Sequence, residues 1–509
     1  MARRPVPSSL LLALVAAAAL PASAAASPSG PAEWIVGGLH TPWELAPTPD
    51  GRTFVVERGD GSGRAVDVRV LDAADRLLPG VALSGSEIGP DVRKFLGLAL
   101  HPDFARNHRA YLYVGRATDP DGAGPANGGN EIWRLRDESG RLRPERRVFG
   151  GIDSDGNHDG GRMAFGPDGR LYVTTGDIHQ PARPRDPGSL NGKILRFAAP
   201  GDEQQLTAPS DNPFVARGGA ARYVWSLGHR HPQGLAFDAA GRLWESEHGP
   251  TGEQHGPLYP GGNGRSGRDE LNLIVRGGDY GWPTVSGPDR LAGAIAPVAV
   301  AGDQPSWAPG DLAVGADGSL YAPFLRGAEL RQFDVRRGAV VAQRSHLAGT
   351  LGRLRVAVAR GGDLLIAQDD GADAGIYRLP LGPRSAASDA ADPPRGGPAA
   401  RGLARALRDR ARRLGRTRLA RGARIAVRRG DLPRGRVTVE LRLGRASGPR
   451  LARTAVAVAV TGRRTIALRP SATARRRLRG TGGRRIVVRV AVRPDGGTVA
   501  RASATGRLR

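Results

Sequence analysis

Cysteine is absent from the 509-residue chain, and lysine is nearly absent. A chain without cysteine forms neither a disulfide nor a thiolate metal site, so its stability must come from its core and from chain closure. The two lysines are Lys94 and Lys193, whereas arginine occurs 73 times. Because this bias extends over the whole chain, a single arginine within a motif carries little functional information by itself.

Excess positive charge is also missing from most of the chain. The formal net charge is +26, but residues 401–509 carry +28 and residues 1–400 carry −2. The basic tail contains no aromatic side chain on which a nucleotide base could stack, so its composition argues against nucleic acid as a partner. Its arginines are compatible with a solvated outer face and with binding to an acidic cell-surface polymer.

Long apolar runs are confined to the N-terminus. Residues 1–27 have the order of a secretory signal peptide: Arg3 and Arg4, an apolar run from Leu10 to Leu20, and then small residues. The run is too short to favour a transmembrane helix, and no second long apolar segment follows. The sequence therefore predicts an exported protein, in an extracellular, periplasmic or cell-surface location.

One local pattern recurs six times along the first 380 residues. An apolar strand is followed by a tight turn rich in Asp and Gly and then by a second apolar strand, as around Pro167-Asp168-Gly169. Each copy predicts a β-hairpin, and several are followed by a further strand. Units of three or four strands, repeated about six times without intervening helices, predict a six-bladed β-propeller over residues 35–381.

The chain changes character after the predicted propeller. Residues 382–401 are rich in Pro, Ala, Ser and Gly and show no periodicity, so they are predicted to form a linker. In residues 402–509, several segments alternate apolar residues with Arg or Thr. This alternation predicts a small, Arg-rich antiparallel β domain of the sandwich type, which makes the fold class all-β throughout.

The stretch from Gly156 to Asp177 differs from the other five copies of the repeat. It begins with His158 and ends with Asp177, and neither residue has a counterpart in the other copies. An imidazole can accept a proton near neutral pH, and an adjacent carboxylate can orient it. On the residues alone, both a structural role and a role as a general base remain open for His158.

Seven stretches of the predicted propeller resemble, in the same order, the glucose/sorbosone dehydrogenase family, which includes soluble aldose dehydrogenases dependent on pyrroloquinoline quinone (PQQ). Each stretch is short, but together they run from about residue 38 to 381. They are residues 95–104 (FLGLALHPDF), 158–177, 189–197 (SLNGKILRF), 227–237 (LGHRHPQGLAF), 246–250 (SEHGP), 269–283 (DELNLIVRGGDYGWP) and 351–355 (LGRLR).

The resemblance implies a sugar oxidation. In the family, an aldose loses the proton of its C1 hydroxyl while its C1 hydride moves to the quinone, and an external acceptor then takes the electrons. His158 matches the general base of the family. Asp177 matches the carboxylate that fixes its tautomer and stabilises the imidazolium.

The resemblance also implies a cofactor site for PQQ and Ca²⁺. PQQ carries three carboxylates, which arginine pairs well, and Ca²⁺ accepts backbone carbonyl oxygens, here those of Gly249 and Pro250. Trp307 lies near the family residues that pack on the quinone plane, although it could equally belong to the core. The implied cofactor-binding residues are Arg230, His231, His248, Gly249, Pro250, Arg326, Arg353 and Arg355.

Two departures from the family pattern affect the predicted site. His231 stands where the family usually has Asn, and Val92 stands where a polar residue is expected to contact the substrate. These departures leave the sugar unidentified and motivate an alternative, a non-catalytic propeller that binds carbohydrate or protein. A lactonase-type hydrolase would need a metal held by carboxylates and Asn in the central channel, and the sequence does not reveal such a set.

Overall fold

The computed structural model describes most of residues 28–382 and part of the tail. The described residues are 28, 30–59, 66–116, 129–198, 205–252, 257–262, 264–303, 306–369 and 374–382, with the backbone of strands at 423–427, 435–443, 450–458, 464–468, 485–493 and 500–507. The predicted signal peptide lies outside the described residues, as does the predicted linker apart from residue 382. The predicted domain boundaries therefore stay predictions.

Six four-stranded antiparallel sheets form a six-bladed β-propeller, as the repeat predicts. The first strand of the described residues, β1, is Glu33–Leu39, and three complete blades follow it. Their strands are β2 (Pro42–Pro47), β3 (Thr53–Glu57), β4 (Asp67–Leu71) and β5 (Leu83–Ser84); β6 (Val92–Leu100), β7 (Arg109–Arg116), β8 (Asn130–Glu138) and β9 (Arg141–Ile152); and β10 (Met163–Phe165), β11 (Leu171–Thr175), β12 (Lys193–Phe197) and β13 (Val224–Leu227).

The second half of the propeller repeats this arrangement. Its strands are β14 (Pro232–Phe237), β15 (Leu243–Glu247), β16 (Glu270–Ile274) and β17 (Ala299–Val300); β18 (Ala313–Val314), β19 (Leu320–Phe324), β20 (Glu329–Arg336) and β21 (Ala339–His346); and β22 (Leu354–Arg360), β23 (Asp363–Gln368) and β24 (Ala374–Pro380). Helices are short in the described residues: α1 is Phe104–Asn107, and 3₁₀ turns cover Gly85–Glu87, Val215–Arg217 and Gly219–Tyr223. None of these helices is long and apolar enough to span a membrane.

The ring is closed by its first strand. β1 pairs antiparallel with β24, so it becomes the fourth strand of the sixth blade. Trp34 lies opposite Tyr377, and the two rings pack edge to face with centroids 5.1 Å apart. The hairpin pattern does not predict this pairing. The pairing of β1 with β24 supplies the chain closure that a propeller without disulfides requires.

Strands inside each blade are covered on both faces. β3, β11, β12, β15 and β19 are buried at every position. Burial on both faces explains the consecutive apolar residues of β3, β11 and β19. Strands β12 and β15 also bury charged side chains. The first strands of all six blades line a central channel of about 370 Å³.

Arg162 forms an ion-pair hub at the inner edge of the blades. Its buried guanidinium pairs with Glu44 of blade 1 and with Asp311 just before β18, the latter at 3.2 Å. It also donates hydrogen bonds to the carbonyl oxygens of Gln233 at 2.9 Å and Gly310 at 3.0 Å. One side chain therefore links four blades.

Replacing Arg162 with methionine is expected to lower the free energy of unfolding by about 3–5 kcal/mol, because two carboxylates lose their buried cationic partner. Urea denaturation measures the effect. Arg143→Met is the matched control, since Arg143 pairs with Glu138 at 3.0 Å where both side chains are about half exposed, and a surface pair contributes about 0–1 kcal/mol. Equal stability of the two variants would contradict the role of Arg162 as a hub.

The tail contains six strands whose backbone is described. β25 (Ala423–Val427) pairs with β28 (Arg464–Leu468). A second antiparallel sheet has the order β27 (Arg450–Val458), β26 (Gly435–Leu443), β29 (Arg485–Arg493) and β30 (Ala500–Arg507). These strands coincide with the alternating segments of the sequence, and the sandwich arrangement stays a prediction.

Candidate active site

The predicted site residues collect at one end of the blades. His158 precedes β10, and Asp177 follows β11. Because β10 and β11 are antiparallel partners, the start of one lies beside the end of the other. The same geometry brings His231, before β14, beside Gly249, after β15.

His158 and Asp177 form a buried hydrogen-bonded pair. His158 Nδ1 lies 2.7 Å from Asp177 Oδ1. The indole N–H of Trp282 donates to Asp177 Oδ2 at 2.8 Å, and the Asp177 amide donates to the carbonyl of Arg230 at 2.7 Å. The loop that leads into β14 and the loop between β16 and β17 therefore hold Asp177, and its carboxylate in turn holds the imidazole.

The backbone at His158 is specialised. Its φ is 39°, in the left-handed region that non-glycine residues seldom adopt. Gly176 packs against it so closely that a Cβ there would lie 1.7 Å from the carbonyl oxygen of His158. Only glycine at position 176 permits this approach, which explains why Gly precedes Asp177.

The electrostatics favour a neutral imidazole facing a charged carboxylate. Burial lowers the pKa of His158 below 6.5, the nearby Arg230 lowers it further, and the hydrogen bond to Asp177 opposes them. Burial raises the pKa of Asp177, but the hydrogen bond from His158 and the charge of Arg230 outweigh it and leave the value lowered. At neutral pH the ring therefore carries its proton on Nδ1, and Nε2 is left to accept one.

Three further histidines surround His158. His179 stacks on it with centroids 3.9 Å apart, and His231 stacks on it at 4.5 Å. His248 packs edge-on against His231 at 5.2 Å. Burial lowers the pKa of His231 well below its usual value, and that of His248 to about 4. A hydrogen bond to Asp155 raises the pKa of His179.

Two of the predicted arginines are buried beside the histidines. Arg230 donates to the carbonyl of His248 at 3.3 Å and to Thr251 Oγ1 at 3.1 Å. Arg355 donates to Asp369 at 2.6 Å and lies over the ring of Trp43 at 4.0 Å. Burial lowers the pKa of Arg355 to about 10, with further lowering by neighbouring arginines. This crowding of buried cations fits an anionic ligand such as a tricarboxylate.

The other two predicted arginines, Arg353 and Arg326, are more exposed to solvent than Arg230 and Arg355. Arg353 is half exposed and shares Asp369 with Arg355 at 3.3 Å. Arg326 is exposed on the turn after β19, and its predicted contact with the cofactor stays a prediction. The ring of Trp307 lies in the core and stacks on Phe324 with centroids 5.1 Å apart, so the alternative of a core residue holds for Trp307.

Gly249 and Pro250 form a rigid turn beside Arg230. The Gly249 amide donates to Asp269 Oδ1 at 2.9 Å, and a Cβ at Gly249 would lie 2.1 Å from the carbonyl of Gly267. The carbonyl of Pro250 accepts a hydrogen bond from the Gly267 amide at 3.0 Å, which leaves it one lone pair. Carbonyl oxygens fixed in this way suit a hard cation such as Ca²⁺.

Several contacts at the site were not predicted. Lys94 of β6 pairs with Asp159, next to His158, and donates to the carbonyl of Gly156 at 3.0 Å. Asn130 donates to the same Asp159 at 2.9 Å. Blade 2 therefore positions the loop that carries His158. Trp282 and Asp269 belong to the quoted family stretches, but their roles depend on partners in other segments.

The fold and the site together define a six-bladed propeller with a buried histidine–aspartate pair and buried arginines at one mouth. The chain belongs to the glucose/sorbosone dehydrogenase family, whose pattern matches residues 39–378. An oxidoreductase of Thermus thermophilus described as a glucose dehydrogenase is 37% identical over 69% of this chain and 99% of its own, with a TM-score of 0.58. The PQQ-bound aldose sugar dehydrogenase of Streptomyces coelicolor is 31% identical over 70% and 100%, with a TM-score of 0.55.

Curated sequences give a shorter match. An aldose sugar dehydrogenase of Escherichia coli (strain K12) is 33% identical over 253 residues, which cover 48% of this chain and 59% of the relative. Quinoprotein glucose dehydrogenase B of Acinetobacter calcoaceticus is 30% identical over 50% of this chain and 52% of its own. The chain therefore spans between half and three fifths of the length of these two relatives.

Proposed function

We propose that this chain is a PQQ- and calcium-dependent dehydrogenase that oxidises an aldose or a related sugar at its C1 hydroxyl. The observation that carries the proposal is the 2.7 Å contact between His158 Nδ1 and Asp177 Oδ1, at the mouth where Arg230 and Arg355 are buried. Membership of the glucose/sorbosone dehydrogenase family and the PQQ-bound Streptomyces relative support the choice of cofactor.

The buried cations would hold the cofactor. Arg230 and Arg355 would pair with carboxylates of PQQ, and Arg353 and Arg326 would act from the rim. His231 Nδ1 is buried and has no hydrogen-bond partner among the described residues, so it can serve as an additional donor or acceptor. The carbonyls of Gly249 and Pro250 would hold Ca²⁺. When bound, PQQ supplies a two-electron acceptor for hydride.

His158 performs the proton transfer. Its Nε2 takes the proton of the C1 hydroxyl while the C1–H bond breaks and its electron pair leaves as hydride, so the cyclic sugar becomes its lactone. The charge of Asp177 stabilises the imidazolium that results. Trp282 and the backbone carbonyl of Arg230 keep Asp177 in place during this change of charge.

Titration of the purified apo-protein with PQQ and Ca²⁺, followed by dye reduction with a panel of aldoses, tests the proposal. We expect a saturable change in the PQQ absorbance and turnover of at least one sugar. Failure to bind PQQ would refute it. Binding without turnover of any sugar would support the alternative, a non-catalytic binding propeller. One observation favours that alternative: the buried side chain of Val92 stands where the family pattern has a polar residue that contacts the substrate.

The rate should depend on pH through His158. Its pKa is lowered, mainly by burial, and the neutral ring is the active form. We therefore expect kcat/KM to be constant above pH 6.5 and to fall only at lower pH, where the ring becomes protonated. Stopped-flow or steady-state dye reduction in overlapping buffers measures the profile, and a fall beginning well above pH 6.5 would exclude His158 as its source.

The proposal extends to location and partners. The predicted signal peptide supports export, and an exported dehydrogenase needs an external electron acceptor to reoxidise its cofactor. The arginines of the tail would form a solvated outer face, with binding to an acidic cell-surface polymer as the alternative. Release of the protein from cell envelopes by salt, compared with a chain that ends at residue 382, distinguishes the two.

A further inference from the structure

Three glutamates, one asparagine and one histidine meet inside blade 4, behind Arg230. Glu245 of β15 lies opposite Asn272 of β16, and Glu247 lies opposite Glu270. Residues two apart on a strand point to the same face, so all four side chains share one face of the sheet. His229, just before β14, completes the group, and all five side chains are buried.

The ligand atoms are as close as those around one metal ion. One atom each from His229, Glu245 and Glu247 lie within 4.8 Å of one another. His229 Nδ1 faces Glu247 Oε1 at 3.4 Å, while its Nε2 contacts Ser226 Oγ at 2.9 Å. A hydrogen bond from Nε2–H to Ser226 would leave the lone pair of Nδ1 directed at the carboxylates, which is the tautomer a metal ligand requires.

The hydrogen bonds of the cluster do not balance. Asn272 Nδ2 lies 3.0 Å from Glu245 Oε2, 3.1 Å from Glu247 Oε1 and 3.2 Å from Glu270 Oε2. An amide has two N–H groups, so it cannot satisfy three carboxylates. Among the described residues, no lysine or arginine side chain forms an ion pair with any of the three glutamates.

Two oxygen atoms in the cluster have no partner. Glu245 Oε1 and Asn272 Oδ1 are buried and accept no hydrogen bond from any described residue. A buried carboxylate that has one shared amide donor and no counter-charge is strongly unfavourable. A bound cation would compensate the excess negative charge and would also give the two unpaired oxygens a partner.

We propose that His229, Glu245 and Glu247 bind one divalent transition-metal ion. Rotation of the Asn272 amide by 180° would direct Oδ1 at the ion as a fourth ligand, and the O and N positions of an amide are exchangeable by such a flip. One imidazole with two carboxylates is a ligand set for Mn²⁺ or Zn²⁺ rather than for Ca²⁺, which takes oxygen ligands alone. The site is separate from the carbonyls of Gly249 and Pro250.

The ion would stabilise the wall of the active site. Glu247 Oε2 accepts a hydrogen bond from the backbone amide of Arg230 at 2.7 Å, so a metal that fixes Glu247 also fixes Arg230. The role is structural, and no step of sugar oxidation passes through it. The proposal holds whether or not the chain oxidises sugars.

Metal binding to the full-length protein tests the proposal. The protein is stripped with a chelator and then titrated with MnCl₂ or ZnCl₂ in excess CaCl₂, which saturates sites made of oxygen alone. Bound metal is counted by mass spectrometry, and Mn²⁺ is also followed by electron paramagnetic resonance. We expect one equivalent of Mn²⁺ or Zn²⁺ and a rise in the melting temperature. No uptake of either metal would overturn the proposal.

Two isosteric variants and a control sharpen the result. Glu245→Gln should weaken metal binding at least tenfold and remove the rise in melting temperature. Asn272→Asp adds a fourth carboxylate, so it should lower the stability of the stripped protein and tighten metal binding. Glu57→Gln removes a buried carboxylate elsewhere and should leave metal binding unchanged. Equal affinity of wild type and Glu245→Gln would refute this site, and PQQ binding is not needed for any of these measurements.

Discussion

Replacing His158 with alanine is expected to abolish sugar oxidation while PQQ still binds. The variant removes the Nε2 that accepts the sugar proton, whereas the buried arginines that would hold the cofactor stay in place. General-base catalysis contributes about 10²–10⁴-fold, so kcat should fall by at least 10²-fold. Steady-state dye reduction gives kcat, and the absorbance of bound PQQ gives the affinity.

A second histidine provides the control for this experiment. His346 lies on β21, at the outer edge of blade 5, where it contacts Gln332 at 2.9 Å. His346→Ala should leave the rate within about twofold of wild type. If His158→Ala retained near wild-type turnover, the base would have to be another group, and His179, stacked on it, would be the first to examine.

Replacing Asp177 with asparagine is expected to lower kcat on the order of 10³–10⁴-fold, as the corresponding change does in a histidine–carboxylate pair of hydrolases. Asp177 accepts from Trp282 through one oxygen and from His158 through the other. Asparagine has one acceptor oxygen. Its NH₂ group must therefore face either the Trp282 N–H or His158 Nδ1, and the second orientation places the ring proton on Nε2, where it blocks the base.

The same turnover and binding measurements check the Asp177 variant. Asp168→Asn is the matched control, because Asp168 lies in the turn at the far end of β11 and accepts hydrogen bonds from Tyr172 and Arg196. We expect the control to keep its activity. A decrease of less than tenfold for Asp177→Asn would mean that the carboxylate does not set the tautomer of His158.

Much of the propeller could be predicted from the sequence because its signal is local. Two apolar runs and a turn within about 20 residues predict each hairpin, as at Pro167-Asp168-Gly169. The pairing of β1 with β24 has no such signal. Trp34 and Tyr377 meet only because the ring brings the two ends of the propeller together, and no short-range pattern encodes that distance.

The site was predictable where a motif names a residue and unpredictable where a contact spans segments. His158 and Asp177 stand out because the other copies of the repeat lack them, the family resemblance implies their roles, and the structure places His158 Nδ1 2.7 Å from Asp177 Oδ1. The hydrogen bond from Trp282 joins positions 105 residues apart, and the stacking of His179 depends on a loop conformation. Arg326 matches a family position but lies exposed, because position in a motif does not fix side-chain burial.

The glutamate cluster of blade 4 shows the same limit. Glu245 and Glu247 lie two apart in the second half of β15, with Ser246 between them, and so polar a segment ordinarily indicates exposure to solvent. The structure buries that face beneath the segment that carries Tyr280, whose ring stacks on His229 at 4.7 Å. The sequence gives no sign of this cover, since the loop that supplies it lies after β16.

The propeller cannot close its ring until nearly all of its strands have been synthesised. β1 leaves the ribosome first among the strands of the ring, and its partner β24 leaves last, about 340 residues later. Until then β1 has no partner strand and can pair with other chains. Truncation at the two ends of the chain therefore has different effects on the ring. Removal of the tail keeps the pairing of β1 with β24, whereas removal of Glu33–Leu39 leaves β24 with a permanently open edge.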